Sequence, residues 1–271
     1  MRRRWFLLLG WLLTASLGAS SDLLEMPLPA KVGVRALGMG DAYTSVAEGA
    51  SGVFHNPAGL GVGQGVHLFG QTHLNGRDIV KFDPKGIAYR WRGTGVAWGN
   101  KIAIRPEGTH DYTYWSVGRR LSSAFAVGLS AKFWRIHPSR HFQVFGQSPT
   151  YDVGLFAALS ERVRVAGRFG TRQSGKGVET ASVGWLCRGS RVLASVESEW
   201  QRDSGLSWRL GVERRLFSRW TVRAGWNGDA PTLGAGIRIG GTRLDAGWTT
   251  LDGNRLFFIG AELGLSDTLK E

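Results

Sequence analysis

From about residue 65 onward the chain alternates apolar and polar residues in segments of roughly ten, separated by Gly, Ser, Asn, Asp and Pro. In one such segment Val192, Ala194, Val196 and Trp200 fall on one face and Ser195, Glu197, Glu199 and Gln201 on the other. In a second, Val163, Val165 and Phe169 oppose Arg162, Arg164, Arg168 and Arg172; in a third, Trp220, Val222, Ala224 and Trp226 oppose Arg219, Thr221 and Arg223. A helix would scatter these sets around its axis, so the period of two predicts strands. The segments read as fourteen strands, near 65-74, 86-92, 94-104, 110-120, 123-136, 149-160, 162-172, 177-188, 190-201, 206-216, 219-227, 232-240, 242-251 and 255-265. Their connections alternate between tight turns, such as Leu121-Ser122, Ser160-Glu161 and Gly240-Gly241, and longer polar stretches, such as 75-85 and 137-148. Tight turns on one rim and loops on the other are the habit of a membrane barrel.

A soluble sandwich would alternate too, with its polar face outward. About fourteen strands, however, enclose a lumen too wide for side chains to fill, which leaves the polar set for the inner face. The chain has 12 tryptophans, and aromatics gather towards segment ends, at Trp91, Trp134, Trp200, Trp208, Trp220, Trp226, Trp248 and Phe257, as interfacial girdles require. The expected fold class is all-β: an antiparallel transmembrane β-barrel of about 14 strands with a short N-terminal hatch. No apolar run beyond residue 20 is long enough to cross a bilayer as a helix.

The N-terminus reads as an export signal. Arg2, Arg3 and Arg4 precede an apolar run from Trp5 to Leu13, and Gly18, Ala19 and Ser20 offer a cleavage site. The expected division is residues 1-20 signal peptide, 21-62 hatch, 63-265 barrel and 266-271 tail, in the outer membrane of a Gram-negative-type bacterium. Outer-membrane lipid and the barrel-assembly machinery are then expected partners, the latter through the glycine and apolar spacing of the last strand, where Phe258 departs from the usual polar residue.

Residues 33-60 read GVRALGMGDAYTSVAEGASGVFHNPAGL. Gly33, Gly38 and Gly40 permit close turns, Asp41 suits the cap of a short helix through Ala47 that Gly49 to Gly52 would end, and Asn56 before Pro57 is a second helix start. This stretch resembles the N-terminal region of the FadL/PorV superfamily of outer-membrane proteins, most closely its PorV/PorQ side. The resemblance implies a fourteen-stranded barrel closed by a hatch, with Gly38, Gly40, Asp41, Asn56, Pro57 and Ala58 in the hatch motif. Asn56, Pro57 and Ala58 would fix the hatch against the inner wall, or form an ordinary capped turn. It also implies passage of small hydrophobic or amphipathic molecules; the alternative is a non-conducting PorV/PorQ-like adaptor that binds secreted proteins. Two departures stand out: the chain and its loops are shorter than in those proteins, and Asp41 stands where glycine is common.

With the polar faces inward, Arg164, Arg168, Glu197, Glu199, Arg209, Glu213, Arg223 and Arg238 line the lumen, together with Arg90, Arg92, Lys132, Arg162, Arg215, Arg243, Asp245 and Glu262. Such a wall either selects anionic solutes or ties itself and the hatch together by ion pairs. Glycine-rich strands 94-104 and 232-240 are candidates for a lateral opening. The formal charge of +13 is spread by strand alternation without any nucleic-acid-binding motif, so nucleic acid is not an expected partner. Cys187 is the single cysteine, which excludes an internal disulfide or a four-cysteine zinc site. His55, His67, His73, His110, His137 and His141 form no metal-binding pattern, and no nucleophile elbow or dinucleotide fingerprint occurs. The expectation is a non-enzyme with no catalytic residue, metal or cofactor.

Overall fold

The computed structural model describes residues 32-47, 49-73, 81-82, 84-105, 108-135, 147-171, 178-202, 204-251 and 254-265. The leader at 1-20, the tail at 266-271, His137 and His141 lie outside them.

The strands are β1 (Gly65–His73), β2 (Lys81–Phe82), β3 (Lys85–Trp91), β4 (Thr94–Arg105), β5 (Gly108–Arg120), β6 (Phe125–Arg135), β7 (Gln147–Ala158), β8 (Val163–Thr171), β9 (Val178–Arg188), β10 (Val192–Gln201), β11 (Gly205–Leu216), β12 (Trp220–Trp226), β13 (Pro231–Ile239), β14 (Thr242–Leu251) and β15 (Asn254–Gly264). Every pairing is antiparallel between neighbours, and β1 pairs with both β3 and β15, closing the barrel. The two-residue β2 keeps the register of β3 on β4, Lys81 opposite Ile104 and Lys85 opposite Asn100. The two are therefore one wall strand broken beside Pro84, which has no N–H for the ladder. The result is a closed antiparallel barrel of fourteen strands, as the period of two predicts.

Burial alternates with the same period, and the apolar face is the exposed one. Along β3, Ile87, Tyr89 and Trp91 are exposed while Gly86, Ala88 and Arg90 are buried. Along β10, Val192, Val196 and Trp200 point out and Ser195, Glu197 and Glu199 are buried inside. An apolar exterior around a polar wall is the arrangement for hydrocarbon surroundings, the reverse of a water-soluble sandwich. Trp91, Trp185 and Trp220 are exposed towards the tight-turn rim, and Trp200, Trp208 and Trp226 towards the opposite rim. Trp220 and Trp226 bound β12, about 20 Å apart along the strand at the usual rise, a spacing suited to two girdles.

The lumen holds the N-terminal segment. It contains one α-helical turn, α1 (Val34–Gly38), and two 3-10 turns, η1 (Ala50–Phe54) and η2 (Pro57–Gly61). The sequence expectation of a helix from Asp41 through Ala47, ended at Gly49 to Gly52, is not what forms. The helix precedes Asp41, Asp41 itself takes a left-handed backbone (φ 58), and residues 50-54 are η1. Asp41 tolerates that conformation better than most residues, so the residue that suggested a cap makes a turn. Asn56 does cap η2, accepting from Ala58 N at 3.0 Å, with Pro57 in the first turn.

Candidate functional site

The seat of the hatch is made of glycine. Inward positions on neighbouring strands are glycine in register: Gly95 opposite Gly118, Gly118 opposite Gly128 and Gly128 opposite Gly154 run across β4 to β7. Gly211 opposite Gly225 and Gly234 opposite Gly247 continue the recess across β11 to β14. Each lets hatch atoms approach the bare wall. A Cβ on Gly118 would stand 2.8 Å from Gly61 N, one on Gly184 3.0 Å from Ser45 N, and one on Gly260 2.9 Å from the Val34 side chain. Gly38 meets Gly234 from the hatch side, its added Cβ 3.0 Å from the Gly234 Cα. Sequence reading missed this recess. The available signal was glycine recurring at inward parity on strand after strand.

Ionic ties lie over the recess. Arg35 of the hatch holds Glu213 through two nitrogens, at 2.7 and 2.8 Å. Glu213 also accepts from Arg223 at 2.7 Å, Arg223 reaches Asp245 at 2.7 Å, Arg243 reaches Asp245 at 2.8 Å and Glu262 at 2.5 Å. Glu262 then accepts from the hatch backbone, Ala50 N, at 2.9 Å. The chain of charges thus leaves the hatch, crosses β11, β12, β14 and β15, and returns to it. Elsewhere Glu197, fully buried, accepts from Thr44 N at 2.8 Å, and Arg209 bridges Glu199 and Glu197 at 2.8 and 3.5 Å. Arg164 donates to Ser45 O at 3.2 Å, and Arg168 to Phe54 O at 3.4 Å and Asp152 at 3.2 Å, an aspartate also paired with Lys132 at 3.0 Å.

The lumen residues singled out in the sequence therefore lie on the inner wall, and most of them touch the hatch or each other. Arg238 lies inward by register, opposite Arg243, but at the exposed mouth. Two of the wider set are corrected: Arg92 and Arg162 sit in tight turns, Arg92 over the Trp91 ring, because turn residues escape strand parity. In the hatch motif, Gly40 donates to Thr232 Oγ1 at 3.0 Å, and Asn56 donates to Thr44 O, Leu155 O and Gly167 O at 3.1 to 3.4 Å. Pro57 and Ala58 abut Gly128, whose added Cβ would collide with both.

Asn56→Ala is expected to lose the cap and every one of these bonds, a cost of about 2 kcal/mol or more from a cap plus buried polar groups left unmade. Amide hydrogen exchange of residues 58-61 should speed up accordingly; unchanged exchange would show that Asn56 is only an ordinary turn residue.

The inner wall has a second character. Phe69, Ala88, Ala97, Tyr112, Tyr114, Leu256 and Phe258, from β1, β3, β4, β5 and β15, cluster around Phe54 and Val53 of the hatch. Phe54 meets Tyr114 edge-on at 5.0 Å and Phe69 at 6.3 Å. Phe258, out of pattern in a terminal strand, belongs to this apolar sector. The two glycine-rich strands considered for a lateral opening are regularly paired on both sides over residues 94-100 and 233-237. Wall irregularities fall instead at Lys132/Trp134 and Gly170/Thr171, and β11 runs past the last β12 pair, Leu210 opposite Trp226, up to Gly205.

No family model matches the chain, and no curated relative does. Among solved structures, the toluene transporter TodX of P. putida aligns over 88% of this chain and 100% of its own, with a TM-score of 0.62 and 8% identity. A monoaromatic hydrocarbon channel, the deltaS2 mutant of TodX, aligns over 86% and 97%, with a TM-score of 0.58 and 9% identity. This chain shares the fold of TodX. At such identity the likeness is one of fold. The adaptor reading gains no support from these TodX chains, and closeness to the PorV/PorQ side rests on the hatch motif of the sequence.

Proposed function

We propose that the protein is an outer-membrane channel for small hydrophobic molecules, closed at rest by its hatch. The observation that carries this reading is the apolar sector inside the barrel, joined by smaller apolar patches at Leu186 and Leu193 and at Ala126, Phe156 and Ala166, within a wall that is otherwise largely polar. An aqueous pore gains nothing from burying Phe69, Tyr114, Leu256 and Phe258 against a plug, whereas an apolar solute needs such a surface once the plug shifts. The apolar exterior supports a membrane setting, the fold of a hydrocarbon channel supports the solute class, and the N-terminal export signal supports delivery across the inner membrane. Passage then requires the hatch to move, because its backbone lies against the bare glycine wall.

The test compares the mature chain with one lacking residues 32-62 in planar bilayers and in toluene-loaded liposomes. The truncated chain should conduct in steps typical of an open barrel, while the intact chain stays electrically closed yet speeds toluene equilibration. An intact chain that leaves toluene equilibration at the lipid-only rate sinks the proposal.

A further inference from the structure

We propose that the tight-turn mouth of the barrel is a binding site for phosphate-class anions. A cavity of about 550 Å³ opens there below the hatch, lined by nine arginines and only two glutamates. Both glutamates are already engaged, Glu213 with Arg35 and Arg223, Glu262 with Arg243. Arg191, Arg215, Arg219 and Arg238 have no ion pair among the described residues.

Register makes this imbalance costly. Arg215 N donates to Arg191 O at 2.8 Å and Arg238 N to Arg219 O at 2.9 Å, so arginine neighbours arginine across two hairpins. Arg238 also stands directly opposite Arg243. Like charges facing each other across a sheet are destabilising, and a concave mouth with low-dielectric walls concentrates their field. A bound anion offsets that repulsion. Guanidinium forks match phosphate oxygens two at a time, and several of them line this one cavity. The chemistry is shared by a soluble phosphate compound and by an anionic phospholipid headgroup from the neighbouring leaflet. The site does not depend on what the lumen conducts.

The test uses the full mature chain and the triple variant Arg215→Gln, Arg219→Gln, Arg238→Gln, whose side chains lie at the open mouth and outside the hatch ties. Circular dichroism and heat-modifiable gel mobility confirm that both form barrels. Calorimetry at low salt with pyrophosphate reports the soluble source; native mass spectrometry from nanodiscs containing phosphatidylglycerol reports the lipid source. Pyrophosphate binding that weakens about tenfold or more in the triple variant, as loss of charge-assisted bonds predicts, supports a soluble ligand. Retained phosphatidylglycerol that the triple variant loses, without pyrophosphate binding, supports a headgroup. Arg255→Gln, at the opposite rim, should leave either signal unchanged. Equal signals from the parent and triple variant, or none from either probe, overturn the site.

Discussion

Gly40→Ala is expected to unseat the hatch and turn a closed barrel into a conducting one. Gly40 has a left-handed backbone (φ 62), and a Cβ there would collide with the carbonyl oxygens of Leu210 and Trp226 and stand 2.5 Å from Trp226 N. These are main-chain atoms of two paired wall strands, which a flexible side chain's retreat cannot relieve. Left-handed strain and overpacking together give a cost of about 2–5 kcal/mol. Gly240→Ala separates the two causes. Its φ is 58, but nothing lies within 4 Å of its added Cβ, so it should cost only about 1–2 kcal/mol for the conformation. Single-channel recording should show long openings for Gly40→Ala and none for Gly240→Ala. Closed traces for both would mean that the hatch tolerates displacement from this stretch of the wall.

Glu213→Gln should unseat the hatch by another route. Glu213 is the acceptor for Arg35 of the hatch and for Arg223 of the wall, and an amide in its place turns donor groups towards guanidiniums. Breaking a buried ion network by removing one member costs about 3–5 kcal/mol, whereas replacing both partners with apolar residues is often close to neutral. The paired change Arg35→Met with Glu213→Met should therefore restore closure, since Arg223 keeps Asp245. Because the ties are largely buried, 1 M salt should weaken them far less than it would a surface pair. If Glu213→Gln stays closed with parent stability, the ionic ties do not hold the hatch.

Much of this was legible in the sequence because one face of each strand meets an apolar surround and the other does not. That asymmetry wrote itself as alternation, and Trp200, Glu197 and Arg223 could be assigned to faces from their neighbours. The glycine recess was harder to read: glycine has no side chain, so it adds nothing to a hydropathy pattern, although it forms the seat of the hatch. Asp41 misled because the same side chain suits a helix cap and a left-handed turn, and only the wall beside Gly40 decides between them. Strand parity assigns Arg92 and Arg162 to the wall only if it is extended into the turns, where it no longer holds. The mouth arginines were visible as residues, but their adjacency depends on hairpin register, which one residue of slip would have rearranged.

The recess also bears on the order of assembly. Asn56 bonds to carbonyls of β7 and β8, Gly40 lies between β11 and β12, and three residues after Val62 the chain enters β1, one side of the β1–β15 seam. A segment that touches so much of the circumference has no side entrance once that seam is zipped. It docks with least rearrangement while the sheet is still an open trough, whereas a closed barrel admits it only end-on through a mouth; the wall itself closes by strand pairing, with or without the plug.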